Sequence, residues 1–508
     1  MDLFNPIIMG LGVALQPENL LFCLLGTVIG MLVGVLPGLG PVATIAILLP
    51  LTYSIDPSTA IIMLAGIFYG AQYGGTITSV LLRLPGEAST VVTTFDGYQM
   101  ARKGRAGAAL GISAMGSFIG GTVSVFGIVL LAPVLSRAAI QFGPPEYAAL
   151  ALLGVLLVTT LGSGSVSKSL LAALFGLLLA TVGRDPFTVS TRFTFGSIEL
   201  SDGLDFAPIA MGLFGLSEIL RSLEERGKNP TVSSKLGRSW PTRTDWIKSR
   251  FAIMRGTVIG FLLGVLPGGG VTISSMVSYA AEKRISKTPE EFGNGSIKGV
   301  AGPETANNAA ATSSFIPLLS LGIPANGTMA VLLGALLIQG VSVGPRLMVD
   351  NPDVFWGVVA SMWIGNGLLL IMSIPLIGVF VRILSVRSSV LLPITAMVTL
   401  VGVYTIQNSV FDVLLVILFG LIGYVMKKFG FDPAPLVLSF VLGSMLENSF
   451  RQSLSMFNGE IGGFLARPIS FTLLLAGVLV VMAPLALRML KNRAAASRPL
   501  DRVDSGGI

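Results

Sequence analysis

The 508-residue sequence predicts an all-α polytopic membrane protein of about 10–12 transmembrane segments, arranged as two inverted-topology repeats with re-entrant hairpins and broken helices. Three observations carry that expectation. The chain is 52% hydrophobic and only 12% charged. Apolar runs of membrane-spanning length recur from end to end. The stretch GTVIGMLVGVLPGLG at residues 26–40 returns as GTVIGFLLGVLPGGG at residues 256–270, with twelve of fifteen residues unchanged.

The apolar runs fall at 20–50, 61–82, 107–134, 148–180, 207–220, 256–281, 315–339, 354–384, 391–406, 410–426, 436–446 and 469–489. The amino terminus, MDLFNPIIMG, lacks the basic region and small-residue cleavage site of a signal peptide. The first helices are therefore expected to direct insertion themselves. Net charge is +7, but the basic residues lie between or after apolar runs, as cytoplasmic loops require, which argues against nucleic acid as the partner. The lone cysteine, Cys23, lies inside an apolar run, so no disulfide framework is expected. Histidine is missing altogether, which removes the commonest general base and metal ligand.

Four regions follow in order: a first transmembrane repeat over 1–220, a basic cytoplasmic linker over 221–255, a second repeat over 256–490 and a cytoplasmic tail over 491–508. The linker carries nine basic and three acidic residues. The first copy of the repeated stretch is flanked only by acids, Asp2 and Glu18 before it and Asp56 after it. The second copy follows the basic linker and precedes Lys283, Arg284 and Lys287. Like charge at both ends of a segment predicts that it enters and returns, turning at its Pro-Gly pair. Opposite charge around the two copies predicts opposite orientation.

A weaker pair, LRLPGEAST at residues 82–90 and LGIPANGT at 321–328, follows each copy by about fifty residues. Four helix breaks result, at 37–40, 85–90, 267–270 and 324–328. Backbone at membrane depth is tolerated only against protein or a watery cavity, and half-helix N-termini there offer N–H donors to an anion. Substrate contacts are accordingly expected from Gly38, Gly40, Thr44, Ser89, Thr90, Gly268, Gly270, Ser274, Asn326 and Thr328. Asn307, Asn308, Thr312, Glu87 and Glu304 are expected to bind the cation or line the cavity, although each glutamate can equally carry a proton or cap a neighbouring helix. Glycines at every fourth residue, 26–38 and 256–268, are explained about as well by close helix packing alone. GSGSVSKS at residues 162–169 has Ser167 where a P-loop needs glycine and is read as a short polar loop.

Together GVLPGLGPVAT (34–44), residues 73–111 from YGGTITSV to GAALG, LLLATVGRDPFTVSTRFTFG (177–196), GVLPGGG (264–270) and residues 302–336 from GPETANNAAATSS to LLGAL resemble the TctA family. Its members are large membrane subunits of tripartite tricarboxylate transporters, and the likeness runs from about residue 20 to 485. The resemblance implies a permease of the bacterial inner membrane that imports organic anions, di- or tricarboxylates such as citrate. It implies secondary active symport coupled to a Na+ or H+ gradient, with no other cofactor. The implied partners are a small four-helix membrane subunit (TctB-like) and a periplasmic solute-binding protein (TctC-like). A passive organic-anion channel is the alternative; an enzyme is not expected, since no nucleophile, base and metal constellation is present.

Overall fold

The computed structural model describes residues 4–36, 40–83, 85–139, 141–161, 165–224, 240–266, 270–373, 375–376, 379 and 388–496. It is 79% helical and almost without strand, an all-α polytopic membrane protein. The first half comprises α1 (Phe4–Ala14), α2 (Pro17–Val35), α3 (Pro41–Thr52), α4 (Pro57–Leu82), α5 (Thr93–Arg102), α6 (Ala106–Ala139), α7 (Pro144–Leu161) and α8 (Val166–Ala180). A two-stranded antiparallel ribbon, β1 (Gly183–Arg184) with β2 (Thr191–Arg192), leads into α9 (Phe206–Ala210), a π-helical turn and α10 (Ser217–Glu224). The remainder is α11 (Arg243–Gly264), α12 (Gly270–Ile285), α13 (Lys298–Ser313), α14 (Gly327–Ile338), α15 (Leu347–Asp350) and α16 (Pro352–Ser373). It is completed by α17 (Ser388–Gln407), α18 (Val410–Lys428), α19 (Ala434–Met456), α20 (Gly463–Ala466) and α21 (Pro468–Ala496).

Polarity runs opposite to that of a water-soluble protein. The two helices richest in glycine, hydroxyls and amides, α4 and α13, are buried along nearly their whole length. Large apolar side chains face outward instead: Phe126 on α6, Val258 and Leu262 on α11, Leu414, Leu418 and Leu421 on α18, Leu475, Val478 and Leu479 on α21. Such an exterior suits hydrocarbon, and the polar interior then needs partners within the protein. Among the described residues six helices are long and apolar enough to cross a membrane. Two of the apolar runs each supply a pair of helices rather than one long span. The run at 20–50 becomes α2 and α3, and that at 148–180 becomes α7 and α8.

Each repeated stretch packs against the broken helix that follows it. A side chain begun at Gly26, Gly30 or Gly34 of α2 would collide with the backbone carbonyls of Met63, Ile67 and Ala71 on α4. On α11, Gly256, Gly260 and Gly264 stand in the same relation to the carbonyls of Gly302, Ala306 and Ala310 on α13. The glycine face is thus a packing face, bringing backbones together where any Cβ would hold them apart. Met63 and Gly302 are 239 apart in number, and that offset holds through the break. Arg83 (φ 59°) and Gly322 (φ 71°) take the same left-handed turn two residues before Pro85 and Pro324. Glu87 and Asn326 then stand at the N-cap of the segment that follows.

Hydrogen bonds fix the two orientations. Thr59 Oγ1, at the start of α4, donates to Asn19 at the start of α2. The end of α3 returns to that same end of the molecule, where Gln339 donates to the Thr52 carbonyl. The second hairpin opens at the other end: Asp245 of α11 pairs with Arg105, and Arg255 binds Glu282 near the end of α12 through Nε and Nη2 at 2.6 and 2.7 Å. Between these ends α4 and α5 run one way and α13 and α14 the other. The linker read at 221–255 is partly helical, since α10 reaches Glu224 and α11 starts at Arg243. The tail read from 491 begins as the last turns of α21.

Candidate functional site

Glu304 sits in mid-α13, 1% exposed, at the centre of the bundle. Its Oε2 accepts from Thr76 Oγ1 of α4 at 2.6 Å, and its Oε1 accepts from Thr93 Oγ1 at the start of α5. Thr76 precedes the first long break and Thr93 follows it, so one carboxyl is held by both sides of that break. Among the described residues no Lys or Arg reaches Glu304. An unpaired charge at this depth costs several kcal/mol, roughly, even after relaxation.

Buried polar atoms without a partner mark the same region. Several are hydroxyls, which rotate to find weak acceptors. Among the described residues the amide and carboxyl atoms left without a partner belong to three side chains: Glu87 (Oε1), Asn307 (both atoms) and Asn326 (Nδ2). Asn307 is fully buried one turn beyond Glu304 on α13. Glu87 and Asn326 are the two matching N-cap residues, and Asn326 uses only its Oδ1, which accepts from Met329 N at 3.0 Å. Each orphaned group costs about 1–3 kcal/mol, which water or a ligand would recover.

The breaks adjoin one another. The α3 N-terminus lies between the two N-caps: Glu87 Oε1 is 3.9 Å from where a side chain on Gly40 would begin, and Val42 is equally close to Gly327. On the other side, Ser275 Oγ of α12 donates to the Ser89 carbonyl at 2.7 Å. The second limb of each hairpin therefore meets the break of the opposite half.

The expected site residues divide into those that are free to act and those already engaged. Ser89 Oγ donates to Gln72 Oε1 at 2.9 Å, and Thr90 Oγ1 accepts from Ser79 Oγ while donating to the Glu87 carbonyl. Thr44 is turned onto the Gly40 carbonyl of its own helix. Ser274 points to the Val271 and Ala306 carbonyls, away from Ser89. Asn308 donates to Ser117 Oγ at 2.7 Å and to the Glu304 carbonyl at 3.1 Å, a helix-to-helix bond between α13 and α6. Thr312 and Thr328 are both 5% exposed, and Gly270, also buried, opens α12. Gly38 and Gly268 lie outside the described residues. Sequence reading missed the partners of Glu304 and the role of Ser275, which belong to elements remote in the chain. It also missed Asp96 of α5. That carboxylate accepts N–H groups from Gly293, Gly295 and Ser296 at 2.7–2.9 Å and the Tyr279 hydroxyl at 2.9 Å, tying the first half to the loop before α13.

Lys168 of the near-P-loop stretch donates to the Phe429 carbonyl at 2.5 Å, joining α8 to the loop after α18. An ion-pair cluster lies beyond the other end of α8. There Asp185, 4% exposed, pairs with Arg192 and Arg451, and both arginines also reach Glu447, beside a 260 Å³ polar pocket.

A protein of Agrobacterium vitis, described as an uncharacterized 52.8 kDa protein in the TAR-I ttuC' 3' region, is 48% identical over 485 residues, 96% of this chain and 97% of the relative. A second from that organism, described as an uncharacterized protein in the TAR-II ttuC' 3' region, is 49% identical over 226 residues, 44% of this chain and 93% of the relative. No solved structure matches the chain. The profile of the tripartite tricarboxylate transporter TctA family matches residues 20–438, a span that holds both hairpins, both breaks and the Glu304 cluster, and the chain belongs to that family.

Proposed function

We propose that the protein is the large permease subunit of a binding-protein-dependent secondary transporter, not an enzyme, that imports organic anions of the di- or tricarboxylate class, citrate among them. It works in a bacterial inner membrane as a symporter driven by a Na+ or H+ gradient. Its partners are a small four-helix membrane subunit of the TctB kind and a periplasmic TctC-like receptor. The first repeat (1–220) and the second (256–490) contribute one hairpin and one broken helix each, with the basic linker in the cytoplasm.

One observation carries this reading: the orphaned carboxyl and amide atoms of Glu87 and Asn326 stand at the N-caps of the two breaks, and the orphaned Asn307 amide lies one turn from Glu304 inside the bundle. Substrate oxygens would meet the N–H groups of the α3 and α14 N-termini and the amides of Asn307 and Asn326. Donors of this kind hold a carboxylate without a buried lysine or arginine. Family membership supports the tripartite assembly.

The test is uptake of radiolabelled citrate, malate and succinate into proteoliposomes holding the three-component complex, under an imposed H+ or Na+ gradient. The expected result is accumulation above the external concentration. Equilibration without accumulation would instead identify a passive channel.

A further inference from the structure

Among the described residues four buried carboxylates face arginines: Glu146 pairs with Arg467, Asp185 with Arg192 and Arg451, Asp245 with Arg105, and Glu282 with Arg255. A fifth, Asp96, has backbone N–H donors. Glu304 has neither. It lies in the middle of a fully buried helix with two threonine hydroxyls as its partners.

Thr76 Oγ1 is 2.6 Å from Glu304 Oε2 and 3.3 Å from the Gln72 carbonyl. When the acid is ionised, the threonine hydrogen points to Oε2. When it is protonated, Oε2–H donates to Thr76 Oγ1, and the threonine hydrogen swings to the Gln72 carbonyl. Thr93 donates to Oε1 in both states. Every polar atom stays satisfied, and the two states differ by one proton. A site made for a permanent charge would supply a cation or, as at Asp96, several N–H donors, and one made for a permanently neutral group would carry an amide.

We infer that Glu304 is the proton-carrying residue of the transport cycle, with Thr76 as the positioning hydroxyl that turns between its two protonation states; this rests on the transporter reading above. The proton reaches Oε2 from water at the face to which the site is open, forming one O–H bond. It leaves as hydronium at the other face, which regenerates the carboxylate; nothing is oxidised or reduced. The signal has a path. Gln72, whose carbonyl receives the threonine hydrogen, holds Ser89 through its side chain, and the Ser89 carbonyl holds Ser275 of the second hairpin. Among the described residues the titratable groups on the elements packed against α13 include Tyr73 of α4, Glu87 in the break, Asp96 and Tyr279 beside Gly299, and Glu282 beside Gly302, bound to Arg255 of α11. Among the described residues α6 presents hydroxyls there, Ser117 among them.

Infrared difference spectroscopy on the full chain in lipid nanodiscs tests the assignment. Between alkaline and acidic buffer the wild type should gain a neutral-carboxyl C=O band that Glu304→Gln lacks, and Thr76→Val, which keeps the acid, should shift that band to higher frequency. Identical difference spectra for wild type and Glu304→Gln would overturn the assignment, as would a band that Na+ removes at fixed pH. In proteoliposomes with the whole complex and radiolabelled citrate, accumulation driven by a pH gradient should fall at least about tenfold in Glu304→Gln, while Glu304→Asp keeps part of it. Undiminished accumulation by Glu304→Gln would also overturn it. If the wild type concentrates no citrate under any gradient, the substrate reading fails, and the infrared result still decides Glu304.

Discussion

Asn307 and Asn308 are adjacent on α13 and equally buried, yet they have different partners. The Asn307 amide has none among the described residues, so alanine there removes no hydrogen bond of theirs. Asn307→Ala should leave thermal stability within about 0.5 kcal/mol of wild type and sharply weaken anion uptake. Asn308→Ala removes the side-chain bond to Ser117 that joins α13 to α6 and should cost about 1–2 kcal/mol. Thermal melts of the purified variants beside uptake assays distinguish the two. If both lose stability equally, the Asn307 side chain serves packing and not a ligand. Asn326→Ala and Ser89→Ala should likewise weaken uptake at unchanged membrane expression, whereas Ser167→Ala, in the stretch that imitates a P-loop, should be nearly silent.

At the level of elements, the offset of 239 makes the two breaks comparable. Both turn through left-handed backbone, at Arg83 in one and Gly322 in the other. A side chain with a Cβ costs roughly 1–2 kcal/mol in that region. Gly322→Val should therefore lower stability by at least that much, and Arg83→Gly should raise it or leave it unchanged; a melt showing the reverse order would contradict the shared turn. Close packing of α2 on α4 and of α11 on α13 is a second shared property. Gly30→Val and Gly260→Val should each separate a helix pair and reduce the folded yield, because the obstacle in both is a backbone carbonyl that no rotamer can clear. Comparable losses in the two halves are expected, measured as monodisperse protein after extraction. A third element-level contact is Asp96 against the loop before α13. Asp96→Ala leaves three N–H groups and a tyrosine hydroxyl without an acceptor and should cost several kcal/mol, about 1–3 for each buried donor that water does not reach.

For the whole molecule, the two hairpins open at opposite ends, the first beside Asp56 and the second beside Asp245. Positive charge gathers at the second end, with Lys103, Arg105, Lys283 and Arg284, which is the basis for proposing that this end faces the cytoplasm. In a Cys23→Ala background, cysteines at Ser54 and Glu290, both exposed, should react with impermeant reagents from opposite faces of the membrane. Labelling from one face would contradict the inverted arrangement. Cys23 itself, 1% exposed, should stay silent in the native chain.

What the sequence determined by itself was what repeats or has a composition: an apolar chain with two copies of one glycine stripe, Pro-Gly breaks, opposite flanking charge and long stretches resembling one family. Each is local, since periodicity, backbone preference and loop charge act within a few residues of one another. The number of separate helices was less legible, because the apolar run at 148–180 does not reveal that one helix ends at Leu161 and the next starts at Val166. Tertiary structure alone decided which polar side chains were vacant. Ser274 reads as a site residue and is consumed by a carbonyl of α13, while its neighbour Ser275 reaches the break. Glu304 reads as a cap, a cation ligand or a proton carrier, and its two hydroxyl partners lie 228 and 211 residues away in the chain. Those contacts arise where antiparallel broken helices cross, a consequence of how the two halves pack that no local pattern records.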